Sequence, residues 1–325
     1  MSLDVVGPGP LIRVTAREDI VRARRAAHEL AIAGGVDGRR MSELALVVTV
    51  VATHLVLHGG GRLSLRELGT LGGPGLELLA FLDAPPRPWQ RQRRHPASEA
   101  FGAGLSAVRR LSDDHAVAHD ADGSAILWAL VGRTRTPAPP SSLYVTGLVA
   151  SRPDVEGAAG WKAVRRSNRV TLIAGRAAGP GSEGPAGAVV ALPVRATPAT
   201  TLAGLRPSVR ARAAACVVEL DLRHRTATAA VTGALAVRIT ADGHATDIAA
   251  TATGPREVRV RWAHTLEAVI LPTSSSDRGS GSEGAVSPPD HPGLRAAALL
   301  RDGATPADEP GLVVVARVDE DPGGG

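Results

Sequence analysis

The chain has 325 residues, of which 44% are apolar and 2% are Phe, Trp or Tyr. That is enough for two domains whose cores are built of Ala, Val and Leu, with a few Trp. Arginine carries nearly all of a net charge of +5, Lys162 being the one lysine. A charge this small for the length, with few aromatic rings to stack bases, argues against a nucleic-acid-binding protein. The single cysteine, Cys216, lies in the apolar run AAACVVELDL and excludes a disulfide framework or a cysteine metal cluster. No signal-peptide succession opens the chain, and no clean stretch of 18 apolar residues suggests a span, so the cytoplasm is the expected location and no membrane partner is expected.

In chain order, Leu11–Val14 reads as a strand and Thr15–Ala33 as a helix capped by Thr15 and ended by Gly34-Gly35. Arg40–Arg62, RMSELALVVTVVATHLVLHGGGR, is apolar on nearly every side and reads as a buried core helix, with Asp37 as its cap and the glycine run as its stop. Its polar positions are Thr49, Thr53, His54 and His58, none of them an acid or an amide. Arg62–Leu68 is a strand or an irregular polar segment, and Leu76–Leu82 a central strand. Asp83–Pro96, with Arg87, Arg91, Arg93 and Arg94, is a long loop or lid whose guanidinium groups suit an acidic or phosphorylated surface. A helix follows from Gly104 to Leu111, then a hairpin of His115–Ala118 and Ser124–Leu130. This order predicts helices layered on one sheet over residues 1–134.

Residues 135–143 form a proline-rich linker, and 144–325 a second domain. Its expected strands are Tyr144–Ser151, Trp161–Arg165, Asn168–Ala174, Cys216–Asp221, Thr226–Val231, Leu235–Ile239, Glu257–Trp262, Leu266–Leu271 and Gly311–Val318. Its expected helices are Ala186–Ala196, Thr200–Ala214 and His291–Arg301, with Ser274–Asp290 a low-complexity connection. Many short strands and few helices predict a two-sheet sandwich of α+β class.

Four stretches carry a family resemblance: REDIVRARRAAHELA (Arg17–Ala31), GAGLSAVRRLSD (Gly102–Asp113), GLVASRPDVEG (Gly147–Gly157) and ALLRDGATPADEPGLVVVAR (Ala298–Arg317). By these the first half resembles the anti-sigma-factor serine kinases, with a histidine-kinase-type ATPase α/β sandwich. The second half resembles the SpoIIE-type PP2C-like phosphatases, with an α/β/β/α sandwich. Together they look like the bacterial two-domain regulators that join the two.

The same resemblance implies site residues, and most of them are replaced. Val50 and His54 stand where the kinase family has a glutamate and a magnesium-holding asparagine. Leu82 stands at its adenine-reading aspartate, with Asp83 one residue on, and Ala84 and Pro86 stand at the following glycines. Gly102 and Gly104 keep part of a phosphate loop. His54, Asp83, Gly102 and Gly104 are therefore what is left of a nucleotide site. In the second half Ala158 or Ala159, then Ala174, stand at metal aspartates, Thr232-Gly233 at a Gly-Asn turn and Thr273-Ser274-Ser275 at a Ser-Asp-Gly. Only the acidic pair Asp308 and Glu309 persists as a metal-site remnant, with Asp277 and Asp290 as weak stand-ins in the connection.

Phosphoryl transfer and metal-assisted hydrolysis both need clustered hard oxygen ligands. One acidic pair cannot hold two ions, so the expected protein is a pseudokinase joined to a pseudophosphatase. It would need no cofactor and would act on a protein partner, an anti-sigma antagonist or related switch protein, with homodimerisation left open by the resemblance. Two alternatives stay open: a weak phosphatase using Mn²⁺ or Mg²⁺, and a silent sensor of ATP-like nucleotides.

Overall fold

The computed structural model describes residues 4–9, 11–67, 75–82, 102–119, 125–132, 143–150, 159–177, 185–250, 255, 257–273, 291–302 and 311–319. The chain divides into two compact units, each taken by itself below. One comprises Gly9–Pro140 and Val286–Ala298; the other comprises Met1–Pro8, Ser141–Ala285 and Leu299–Gly325.

The N-terminal unit holds β2 (Leu11–Val14), α1 (Arg17–Ala33), α2 (Gly38–Leu57), β3 (Gly61–Glu67), β4 (Gly75–Leu82), α3 (Gly102–Leu111), β5 (Asp114–His119) and β6 (Ala125–Gly132). Its five strands form an antiparallel sheet in the order β2-β3-β4-β6-β5, with β4 central as the sequence predicts. Alternate residues of the middle strands, among them Leu63, Leu65, Leu76, Leu78, Ala80, Leu127 and Ala129, pack against α1, α2 and α3 in one apolar core. The segment expected as strand or irregular chain is a strand.

Local chemistry sets the helix ends. Asp37 caps α2, its side chain accepting from the Arg40 N–H at 2.8 Å. The Thr15 cap is not what forms on α1. Ala16 occupies the cap position, and Asp19, one turn in, accepts from the N–H groups of Thr15 and Ala16 at 2.8 and 2.9 Å. A carboxylate outcompetes a hydroxyl there because its bonds are charge-assisted and it faces the positive end of the helix. Gly35 ends α1 at φ 65°, where a Cβ would be strained.

The outer face of this sheet is also buried. Arg66 and Glu77, directly opposed on β3 and β4, form an ion pair with side chains only 2% and 1% exposed. The Trp128 indole N–H donates to Glu77 at 2.9 Å. The ring of His291 lies 3.6 Å from that of Trp128, centroid to centroid. Gly293 approaches so closely that a Cβ there would sit 2.8 Å from the Trp128 ring.

The C-terminal unit holds β1 (Asp4–Val6), β7 (Leu143–Ala150), β8 (Ala159–Arg166), β9 (Arg169–Ala177), α4 (Pro185–Val190), α5 (Pro198–Ala203), α6 (Pro207–Arg210), β10 (Ala213–Asp221), β11 (Thr226–Thr232), β12 (Leu235–Ala241), β13 (His244–Ala249), β14 (Glu257–Arg261), β15 (Leu266–Pro272) and β16 (Gly311–Val318). The helix α7 (Pro292–Asp302) runs across the boundary drawn between the two units. One sheet runs β1-β8-β9-β10-β11-β14 and the other β13-β12-β15-β16-β7, every described pairing being antiparallel. The sheets pack face to face, and α4 and α5 lie against β9, β10 and β11.

Two expectations fail here. The helix read over Thr200–Ala214 is two short ones, α5 and α6, followed by β10 from Ala213. Gly204 caps α5, and Pro207 starts α6 because it has no N–H to donate into a continuing helix. The helix read over Ala186–Ala196 stops at Val190, before Pro193. Strands β1 and β13 had no counterpart in the sequence reading: β1 is three residues long, and β13 has the exposed, polar composition HATDIA.

Candidate functional site

In the N-terminal unit the expected site centres on the second half of α2. Val50 there is half-buried and packs against the helix–sheet core. His54 is half-buried, and its ring stacks on His58 one turn further on, 4.0 Å between centroids and 26° between planes. Desolvation, and then repulsion from His58, lowers the His54 pKa from 6.5 to about 4. Burial lowers that of His58 as well. Both rings are therefore neutral at neutral pH. Stacked neutral imidazoles suit soft metals and apolar contact better than magnesium, which wants oxygen.

The glycine run beyond this pair has a structural cause. Gly59 and Gly60 adopt φ 103° and 105° to reverse the chain. A Cβ on Gly61 would lie 2.1 Å from the Phe81 carbonyl oxygen. Gly102 and Gly104 lie in the first turn of α3, so the helix begins two residues earlier than the sequence reading set it and takes in the glycines read as a turn. Helices α2 and α3 pack on one another. Asp83 and the Arg87–Arg94 loop lie outside the described residues.

Sequence reasoning missed a buried charge network at the opposite end of α2. Arg40, 2% exposed, donates to Glu43 at 2.5 Å, to the carbonyls of Gly132 and Leu111 at 3.2 Å each, and to Asp113. Asp113 also accepts from the Gly132 N–H at 2.5 Å. The network ties the start of α2 to the ends of α3 and β6. Its ingredients were legible: an arginine inside a cap, a Glu three residues on, and the Ser-Asp-Asp after α3. Their convergence was not, because Arg40 and Asp113 are 73 residues apart in sequence.

In the C-terminal unit the expected metal positions fall on β8, β9 and the turn after β11. Gly175 faces the helices, since a Cβ there would meet the Val189 side chain of α4 at 2.6 Å. Its neighbours Ala174 and Arg176 therefore face the other way, toward the second sheet. Ala174 is paired with Trp161 on β8 and Cys216 on β10, and all three are buried. The Trp161 indole lies against β7, where a Cβ on Gly147 would come within 2.5 Å of it. Arg176 is only 5% exposed. Nothing in RVTLIAGRA announced this: both faces of β9 are buried, so the strand shows no polar–apolar alternation to mark the arginine.

The rest of the expected metal set is dispersed or undescribed. Ala159 opens β8, Thr232 closes β11, and Gly233 turns at φ 68° close against Ala214. Ala158, Asp277, Asp290, Asp308 and Glu309 lie outside the described residues. Among the described residues no three His, Cys, Asp or Glu side chains group as metal ligands. The acids that are well satisfied serve turns. Asp242 accepts from the N–H groups of Ala263, His264 and Thr265, which hold its pKa down at about 2. Asp221 accepts from the N–H groups of Arg223 and His224 and pairs with the His224 ring at 2.9 Å. Lys162 donates to the Leu192 carbonyl at 2.9 Å, and burial pushes its pKa down. Burial pushes the Cys216 thiol up, so it is an inert core residue.

No protein-family model and no curated protein matches the chain. Solved structures similar to it include RsbX in complex with magnesium, at 10% identity and a TM-score of 0.39, covering 55% of this chain and 94% of that one. A second belongs to the bacterial stressosome, described as a modular system adapted to control secondary messenger signaling. It has 15% identity and a TM-score of 0.38, covering 54% of this chain and 98% of that one. A third is the PP2C phosphatase domain, with a fragment of the regulatory domain, of the cell fate determinant SpoIIE from Bacillus subtilis. It has 8% identity and a TM-score of 0.37, covering 76% of this chain and 79% of that one. All three are distant likenesses.

Proposed function

We propose that the chain is a non-catalytic regulator. A histidine-kinase-type ATPase-like unit and a PP2C-like unit would serve as protein-binding platforms in a bacterial partner switch, in the cytoplasm. The observation that carries this reading is the pairing of Ala174 with Arg176 on one face of β9. By the family resemblance Ala174 stands at a metal aspartate, and it is 0% exposed. Arg176, two positions along the same face, brings a permanent positive charge to the layer where the cations would sit. A fixed cation close to a divalent ion opposes its binding. The missing carboxylate and the buried arginine thus act in the same direction, and residues of this kind do not fit a two-ion centre.

In the N-terminal unit the reading is supported by the His54–His58 stack, which offers no oxygen donor where the resembling kinases hold magnesium. A platform of this sort recognises a partner through its surface chemistry. The expected partner is an anti-sigma antagonist or related switch protein.

Calorimetry of the full chain with Mn²⁺, Mg²⁺ and ATP, combined with turnover of a phosphoserine peptide, tests the proposal. The expected result is no metal binding tighter than millimolar and no metal-dependent turnover. Two tightly bound ions with dephosphorylation would overturn it in favour of a phosphatase. Mg²⁺-independent ATP binding without turnover would recast the N-terminal unit as a nucleotide sensor.

A further inference from the structure

Strand β14, with the sequence EVRVR, ends the order β1-β8-β9-β10-β11-β14 and pairs only with β11 among the described residues. The Trp262 N–H donates to the Arg225 carbonyl at 3.1 Å, one step beyond the Arg261–Thr226 pair. Residues 258, 260 and 262 therefore turn their backbone groups toward β11. By the same alternation the N–H and C=O groups of Glu257, Arg259 and Arg261 point outward, where an added strand could meet them.

The side chains alternate as well. Val258 and Val260 are half-buried and stand opposite Ala229 and Ala227, both 0% exposed. Ala230 belongs to the helix-covered core, so this pair of valines lies on the other face of the sheet. Glu257, Arg259 and Arg261 are exposed on the helix-covered side, beyond the helices. The acid there is already engaged, Glu257 accepting from the Ala199 N–H at the start of α5 at 3.3 Å. The Arg259 guanidinium touches only a hydroxyl, donating to Thr228 at 3.3 Å. Glu219, behind that threonine, pairs with Arg169 at 3.7 Å. Arg261 makes no ion pair among the described residues. The edge thus offers open backbone groups, two arginines two residues apart, and two valines between and beside them.

We propose that β14 is a docking edge for an extended segment of a partner protein in which acidic and apolar residues alternate. The segment adds an antiparallel strand, with carboxylates opposite Arg259 and Arg261 and apolar side chains beside Val258 and Val260. Backbone chemistry selects a peptide. It supplies acceptors for the outward N–H groups and donors for the outward carbonyls, whereas a nucleic-acid backbone presents phosphates that only accept. A second copy of this chain fits poorly. Self-pairing of β14 either opposes arginine to arginine or draws Glu257 away from α5. Charge on an edge strand is a guard against self-pairing, and here the same guard selects an acidic strand. Five residues and two charge pairs make a weak, exchanging contact that salt should weaken further. The proposal stands apart from the regulatory reading: metal binding with turnover would refute that reading and leave this edge unchanged.

The test is fluorescence anisotropy of a labelled peptide, GSEVEVEGS, titrated with the full chain. Saturable binding tighter than millimolar is expected, and the double variant Arg259→Glu, Arg261→Glu should weaken it at least tenfold with the circular dichroism spectrum unchanged. Modified peptides test the pairing on the wild-type chain, whatever the variant does. In an antiparallel pair the glutamate N–H groups face β14 and the valine N–H groups face away. N-methylation of the glutamate amides should therefore cost at least tenfold, and N-methylation of the valine amides far less. Absence of saturable binding overturns the proposal, as does equal loss from the two methylated peptides. So does equal binding of the rearranged peptide GSEEEVVGS, or tighter binding of a single-stranded DNA of equal charge, either of which makes the edge a plain polyanion patch.

Discussion

Two buried faces of this molecule each hold an arginine, and they differ in whether an acid stands on the same face. The outer face of the N-terminal sheet buries Arg66 and Glu77 as a directly opposed pair and adds the Trp128 indole to the carboxylate. The inter-sheet layer of the C-terminal unit buries Arg176 on the same strand face as Ala174, the residue expected from the family resemblance to stand at a metal aspartate. The comparison teaches where a buried acid persists. A carboxylate whose partner is covalently part of the fold is always compensated. Under the proposed non-catalytic reading, an acid whose partner would be an ion from solution is a liability once that ion is not bound, and alanine avoids it. The N-terminal unit keeps its acids because they hold strands and helix ends together.

The largest expected effect comes from breaking the compensated side. Glu77→Ala strands Arg66 in a dry face and should lower the unfolding free energy by about 3–5 kcal/mol, read from urea denaturation followed by tryptophan fluorescence. Arg40→Ala leaves Glu43 and Asp113 without their shared guanidinium and two carbonyls without a donor. A loss of about 3 kcal/mol is expected by the same measurement, and a loss below about 1 kcal/mol would show that the network is not holding α2.

The inter-sheet layer of the C-terminal unit is probed through its packing. Gly147→Ala places a methyl 2.5 Å from the Trp161 indole and should cost about 1–3 kcal/mol, with a shift in near-ultraviolet circular dichroism. If that substitution is silent, the layer is loose enough to admit an ion, and the contrast between the two faces fails.

A pH series sharpens the comparison at the histidine pair. The folded His54 pKa of about 4 lies below the ordinary 6.5. Above pH 6.5 the ring is neutral in both states and contributes no pH dependence. Between 6.5 and 4 the unfolded chain takes up a proton that the folded chain refuses, so stability falls with pH, and below 4 the loss levels off. Because the ring is partly solvated, about 1–2 kcal/mol is expected. His54→Gln should flatten the profile over that window. The smallest effect is at the cap: Asp37→Ala should cost about 1 kcal/mol by releasing the Arg40 N–H at the start of α2.

How much of this was readable in the sequence varies by element. The core helix and its Asp37 cap, the central strand Leu76–Leu82 and the closing strand Gly311–Val318 all stand close to where pattern and capping chemistry set them. In each case the signal is local: an apolar run bounded by a cap or a turn. Thr200–Ala214 splits into α5, α6 and the start of β10 because Gly204 ends one helix and Pro207 starts another, single-residue signals inside an alanine-rich run. Strand β13 was missed because its exposed polar residues give no apolar period, and its identity as a strand comes from pairing with β12.

For the candidate sites the division is sharper. The absence of an acid at Val50, His54 and Ala174 is written in the sequence, since it concerns residue type alone. The stack of His54 on His58 is nearly so, because a helix brings residues four apart onto one face. The Arg40–Asp113 bond, the Arg66–Glu77–Trp128 cluster and the burial of Arg176 were decided only by tertiary structure. Each depends on side chains far apart in the chain meeting in a medium of low dielectric. Only there does an arginine change from a solvated surface charge into a fixed one that decides which ions can share its neighbourhood.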